Sequence, residues 1–257
     1  MVRVSVIGCG NMGGALVHGL VQAGHRDIVV CDVDPSALDR VSTLGVTTST
    51  DPGDASEAEF VFVVVKPAIV STVVEQLGLT ADQTLISIAA GVPTDYIEQF
   101  TDAKVVRLMP NLAAETGTAA AAVTGAVSED LLTLLGSIGV VVEVEEEHMD
   151  TATAVNGSGP AFVFYLIQAM AEAGVESGLD ADDARVLAAQ TFKGAAETIL
   201  HSEASIQELI DAVCSPKGTT IEGMAVLRES QIDETIEAAV MAAERRASEL
   251  AVEVGHE

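Results

Sequence analysis

The sequence predicts an α/β chain in two parts: a mostly parallel sheet with crossover helices over residues 1–150, then an all-helical region over residues 151–257. Two observations predict it. Short β-branched runs that are apolar at every position alternate with helical patterns as far as His148, and such runs suit strands covered on both faces. From Ala152 to Val252 the chain is rich in Ala, Glu and Leu, with apolar residues three and four apart and no further strand pattern.

In order, "VRVSVIG", "DIVVCD", "EFVFVVV", "TLISIAA" and "AKVVRLMP" are the expected strands. "TAAAAVTG" and "VVVEVE", flanking a helix that begins near Ser128, close one edge of the sheet. In the second part, "GPAFVFYLIQAMAEAGVESG" is apolar nearly all round for four turns, which requires burial on both sides, by its own domain or by a partner subunit. Pro160 suits a first helical position and Gly178 a helix stop.

Charge narrows the function classes. With 39 acids against 12 bases the formal net charge is -27, and no basic run exists, which argues against nucleic acid or an anionic membrane as partner. Such an acidic surface suits a saline cytosol, where salt screens self-repulsion. Cys9, Cys31 and Cys214 lie far apart without metal-binding spacing, so neither a zinc site nor a disulfide framework is expected. Cys214 reads as a packed thiol rather than a nucleophile, and the acids from Glu145 to Asp150 as a solvated face rather than metal ligands. The chain begins directly with a strand and has no long apolar run, so a cytoplasmic protein is expected.

The first strand runs into "GCGNMGG", in which Gly8, Gly10 and Gly13 form G-x-G-x-x-G at the opening of a helix. The first glycine permits a tight turn, the second a close approach by pyrophosphate, and the third close helix packing, so the first part is expected to be a Rossmann-type dinucleotide-binding domain. Asn11 and Met12 start the helix whose free amides would face the phosphates. Asp32 ends the second strand at the distance expected of a ribose-binding acid, with no Arg or Lys beside it in sequence, which favours NADH over NADPH. Further strand ends carry Val65, Lys66 and Pro67, then Ala90 and Gly91, then "MPN", which outline one crevice for a flat nicotinamide.

"NGSGPA" reads as a helix cap, whereas "SPKGTT", Ser215 to Thr220, has more hydroxyls than one cap needs. A carboxylate at such a helix start gains from the dipole and from the free amides.

The ordered set "IGCGNMGGAL", "VKP", "SIAAGV", "RLMPN", "GSGPAFVF", "HSE" and "CSPKGTTIEGM" resembles the pyrroline-5-carboxylate reductases along the whole chain. The resemblance implies reduction of 1-pyrroline-5-carboxylate to L-proline by NADH or NADPH. It implies that Ser215 and the amides of Gly218, Thr219 and Thr220 hold the substrate carboxylate, that the Thr220 hydroxyl bonds the ring nitrogen, and that Lys66 and Glu203 have supporting roles. It also implies a homodimer formed through the helical domain, or a decamer built of such dimers. Two residues depart from the pattern. Lys217 stands where many relatives carry Gly, and either adds charge near the carboxylate or restricts the turn; Asp32 stands where NADPH-preferring members often carry small or basic residues. A β-hydroxyacid dehydrogenase would need Lys and Asn four apart on a helix, but Lys193 is followed at that spacing by Glu197. An idle nucleotide-sensing module would leave the hydroxyl-rich turn unexplained.

Overall fold

A computed structural model describes residues 3–254. Eight strands form one sheet in the order β3-β2-β1-β4-β5-β6-β7-β8. They are β1 (Val4–Ile7), β2 (Ile28–Cys31), β3 (Thr47–Ser49), β4 (Phe60–Val63), β5 (Thr84–Ser87), β6 (Lys104–Met109), β7 (Ala119–Gly125) and β8 (Gly139–Glu143). β1 to β6 run parallel, β7 is antiparallel to β6, and β8 is parallel to β7. The reversal of strand order at β1 and β4 opens a crevice at the carboxyl ends of the strands, where ligands of open α/β sheets bind.

The helices are α1 (Asn11–Gln22), α2 (Pro35–Ser42), α3 (Val70–Leu77), α4 (Thr94–Ile97), α5 (Glu129–Gly136), α6 (Met149–Ala152), α7 (Gly159–Glu176), α8 (Ala181–His201), α9 (Ile206–Val213), α10 (Thr219–Glu229) and α11 (Ile232–Val254). Both faces of the sheet are covered, which is why its central strands are apolar at every position. One core joins Val4, Val6, Phe60 and Phe62 to Leu16, Leu20, Leu38 and Leu131 of α1, α2 and α5. The other joins Val61, Val63 and Leu85 to Val70, Val74 and Ile97 of α3 and α4. β3 has no counterpart among the expected strands. It is a three-residue edge strand, exposed at Thr47 and Thr48, so no core demands apolar residues there.

Chain contacts divide the molecule into residues 1–158 with 240–257, and residues 159–239. This differs from a division at 150. Met149 and Ala154 are buried, and Met149 packs on Met109 and Ala122 of the sheet, so the first helical turns after β8 belong to the N-terminal unit. The C-terminal part of α11 joins the same unit: Thr151 donates to Glu244, and Ser248 to Asp150 at 2.9 Å.

The second unit is helical throughout. Gly178, at φ +103, lies two residues beyond the end of α7 and turns the chain toward α8, which starts on an Asp180 cap. α7 has no buried residue within one chain, and Phe164 and Tyr165 are 67% and 72% exposed. No helix among the described residues is long and apolar enough to cross a membrane.

Candidate active site

Gly8, Gly10, Asn11, Met12 and Gly13 turn from β1 into α1, and Asp32 follows β2. Val65, Lys66 and Pro67 follow β4, and Ala90 and Gly91 follow β5, so the parallel sheet brings all these residues to one edge. The glycine turn is close-packed where a side chain would interfere. Gly8, at φ +99, lies so near β4 that a Cβ would overlap the Val64 carbonyl oxygen, and a Cβ on Gly13 would overlap the Gly8 carbonyl oxygen. Gly10 is exposed, with nothing within 4 Å of the place a Cβ would take. Open space above Gly10 and the first amides of α1 fit a pyrophosphate, so the residues present fit a dinucleotide.

Asp32 is half-buried and held by backbone: its Oδ2 accepts from the Cys9 amide at 2.6 Å and its Oδ1 from the Asp34 amide at 2.9 Å. Asp34 caps α2 by accepting from the Ser36 amide, and the hydrogen bonds from Ser36 lower its pKa. Arg40, although eight residues beyond Asp32, is returned to the glycine turn by α2 and donates to the Cys9 carbonyl at 3.1 Å. Sequence proximity could not reveal it; helical periodicity of the stretch after Asp34 was the only signal. Lys66 is exposed and starts the turn at Pro67–Ile69.

β6 carries an ion cluster around a buried arginine that sequence reading missed. Arg107 of β6, its side chain 4% exposed, pairs with Glu146 at 2.8 Å and Asp150 at 3.1 Å. Thr94 also donates to Glu146, at 3.0 Å. Two acids of the run expected to be a solvated face thus turn inward, because β6 carries a cation that needs partners. Beside the cluster, Asn156 donates to the Met109 and Ala120 carbonyls, and Asn111 donates to the Asn156 carbonyl.

In the second unit, Ser215 to Gly218 form a turn between α9 and α10, in which the Gly218 amide donates to the Ser215 carbonyl at 2.9 Å. That amide is therefore used within the turn, leaving the amides of Thr219 and Thr220, which have no intrahelical acceptor. Gly218 caps α10 without any side-chain cap. Among the described residues, the hydroxyls of Ser215, Thr219 and Thr220 make no hydrogen bond. Lys217 has φ +61 and is the non-glycine residue with positive φ among the described residues. The left-handed turn explains why glycine suits this position, and here it carries a cation instead. Glu203 is exposed in the short connection before α9. Cys214 is half-buried rather than fully packed, on an apolar cavity of about 470 Å³ that it shares with Ile199, Ile210, Val213, Thr220 and Met224.

Residues 146–250 match the family model for pyrroline-5-carboxylate reductase dimerisation, and residues 3–91 match that for coenzyme F420-dependent NADP oxidoreductases. A pyrroline-5-carboxylate reductase of Methanosarcina acetivorans is 40% identical, with 96% of this chain and 97% of that protein covered. The chain belongs to the pyrroline-5-carboxylate reductase family. A solved pyrroline-5-carboxylate reductase from Coxiella burnetii has a TM-score of 0.88 at 32% identity, covering 97% of this chain and 98% of that one. The Plasmodium falciparum pyrroline carboxylate reductase, solved with NADP bound, has a TM-score of 0.84 at 26% identity, covering 97% and 98%. As a member of this family the chain is an NAD(P)H-dependent oxidoreductase with a helical dimerisation domain.

Proposed function

We propose that the chain reduces 1-pyrroline-5-carboxylate to L-proline, the last step of proline biosynthesis. The observation that carries this reading is the start of α10, where two free amides and three unpartnered hydroxyls gather beside Lys217. That set is matched to a small carboxylate: acceptor oxygens meet amides at the positive end of a helix, and Lys217 adds a full charge. Ser215, Thr219 and Thr220 hold the carboxylate, and the Thr220 hydroxyl accepts from the N–H of the protonated ring imine. A nicotinamide bound at the crevice would supply the hydride that C5 accepts. The carbon–nitrogen double bond becomes single, the electron pair settles on nitrogen, and the secondary amine keeps its hydrogen bond to Thr220. Fixing the carboxylate and the nitrogen together orients C5, and such positioning provides a large part of many enzymatic rate gains. Lys66 at the cofactor crevice and Glu203 in the connection before α9 are supporting residues.

Asp32 accepts from the ribose hydroxyls of the adenosine half, which favours NADH over a cofactor carrying a 2′-phosphate. The partially exposed apolar faces of α7 and α8 support a homodimer, and assembly of such dimers into a decamer is the larger form we propose. The acidic surface supports action in a saline cytosol.

Thr220→Ala tests the chemistry. Turnover is expected to fall by orders of magnitude with little change in NADH affinity, and Thr220→Ser to recover part of it. Near-normal turnover in Thr220→Ala would remove the residue from the reaction.

A further inference from the structure

The peptide groups of Cys9, between the first two glycines of the nucleotide turn, are held from two sides by opposite charges. Asp32 accepts from its amide at 2.6 Å and Arg40 donates to its carbonyl at 3.1 Å. Burial raises the Cys9 thiol pKa, Arg40 lowers it and Asp32 raises it, so both charges are felt at this residue. Arg40 is exposed and makes no ion pair among the described residues, and a guanidinium with one donor engaged has four left. It lines a cavity of about 310 Å³ with Gly10, Asn11, Gly14, His18 and Glu115, directly against the turn that takes the pyrophosphate.

We propose that Arg40 is a specificity residue that retains 2′-phosphorylated cofactors in a site whose Asp32 prefers the unphosphorylated one. This rests on the reading that Asp32 faces the adenosine ribose. A carboxylate that accepts from the ribose hydroxyls lies one Cys9 residue away from the guanidinium. A phosphate on the 2′ oxygen leaves Asp32 by repulsion and meets Arg40, whose planar fork suits phosphate. The chain then uses both cofactors, with NADH ahead.

The test is calorimetric titration of the full chain with ADP-ribose and with its 2′-phosphorylated form, in molar salt. There the Debye length is about 3 Å, so only direct contact with the phosphate survives. In Arg40→Ala the affinity ratio is expected to move about tenfold further toward ADP-ribose, the scale of a lost charged hydrogen bond, and Arg40→Lys to recover part of it. In Asp32→Ser the ratio moves the other way. If Arg40→Ala weakens both ligands equally, or neither, while Asp32→Ser shifts the ratio, Arg40 only holds the Cys9 carbonyl and the proposal fails alone. If Asp32→Ser leaves the ratio unchanged, the underlying reading of Asp32 is overturned and the proposal with it.

Discussion

Replacing Gly218 with Ala tests the substrate turn without touching any hydroxyl. Gly218 has φ -83 and ψ 171, which alanine adopts freely, so the backbone itself carries no penalty. The new methyl would overlap the Ser215 hydroxyl oxygen and lie 3.1 Å from the Ser215 carbonyl oxygen. The hydroxyl is the end of a rotatable side chain and swings away, so the fold loses no more than about 1.5 kcal/mol, the scale of an off-rotamer side chain. Substrate binding loses more. One hydrogen bond to a charged group contributes about 1.5–3 kcal/mol, which is roughly ten- to 150-fold in kcat/KM. The assay is kcat/KM for pyrroline-5-carboxylate at saturating NADH, with NADH affinity and a thermal melt alongside, and Ser215→Ala as the comparison. A folded Gly218→Ala protein with kcat/KM within about twofold of wild type would refute the reasoning. So would a parallel loss of NADH affinity.

Gly13→Ala forces a methyl into the Gly8 carbonyl, and backbone cannot swing aside, so a loss of about 1–3 kcal/mol in urea unfolding is expected. Gly10→Ala meets nothing, so it should unfold like wild type yet bind NADH at least about tenfold more weakly; unchanged affinity would place the pyrophosphate elsewhere. Arg107→Ala leaves Glu146 and Asp150 without their cation; these carboxylates are 36% and 24% exposed, so the expected cost is about 3 kcal/mol, the low end for a broken buried pair, read from the urea midpoint. Burial, then Asp54 and Asp51, push the Cys31 thiol from 9.0 up to about 11. The folded chain holds that proton to higher pH than the unfolded one, so stability should fall as pH rises from about 9 toward 11, with a shallower slope in Cys31→Ala. An identical slope would show that Cys31 does not set it.

The central strands and the glycine turn were legible in the sequence because burial on both faces and a backbone forced against its neighbours each demand particular residue types. β3 was not, since three edge residues need no apolar pattern. Helical periodicity from Ala152 onward announced helices without saying what they pack on. The turns through Ala154 lie on the sheet, and the packing of Met149 on Met109 and Ala122 is a tertiary fact. Charge pairing was equally hidden. Arg40 and Asp32 hold the carbonyl and the amide of Cys9 without pairing with each other, because α2 returns Arg40 to the glycine turn, and Glu146 and Asp150 face inward because Arg107 lies on a strand far earlier in the chain. The turn from Ser215 to Thr220 was readable as an excess of hydroxyls, but the use of the Gly218 amide inside the turn and the left-handed Lys217 are properties of the folded backbone.

The most direct measurement is the rate of NADH and of NADPH oxidation with pyrroline-5-carboxylate, with proline quantified as product, in parallel at low and molar salt. Proline formed in step with cofactor oxidation, faster with NADH and sustained in molar salt, is the predicted result. Folded protein that binds NADH yet forms no proline with either cofactor at any salt would contradict the account.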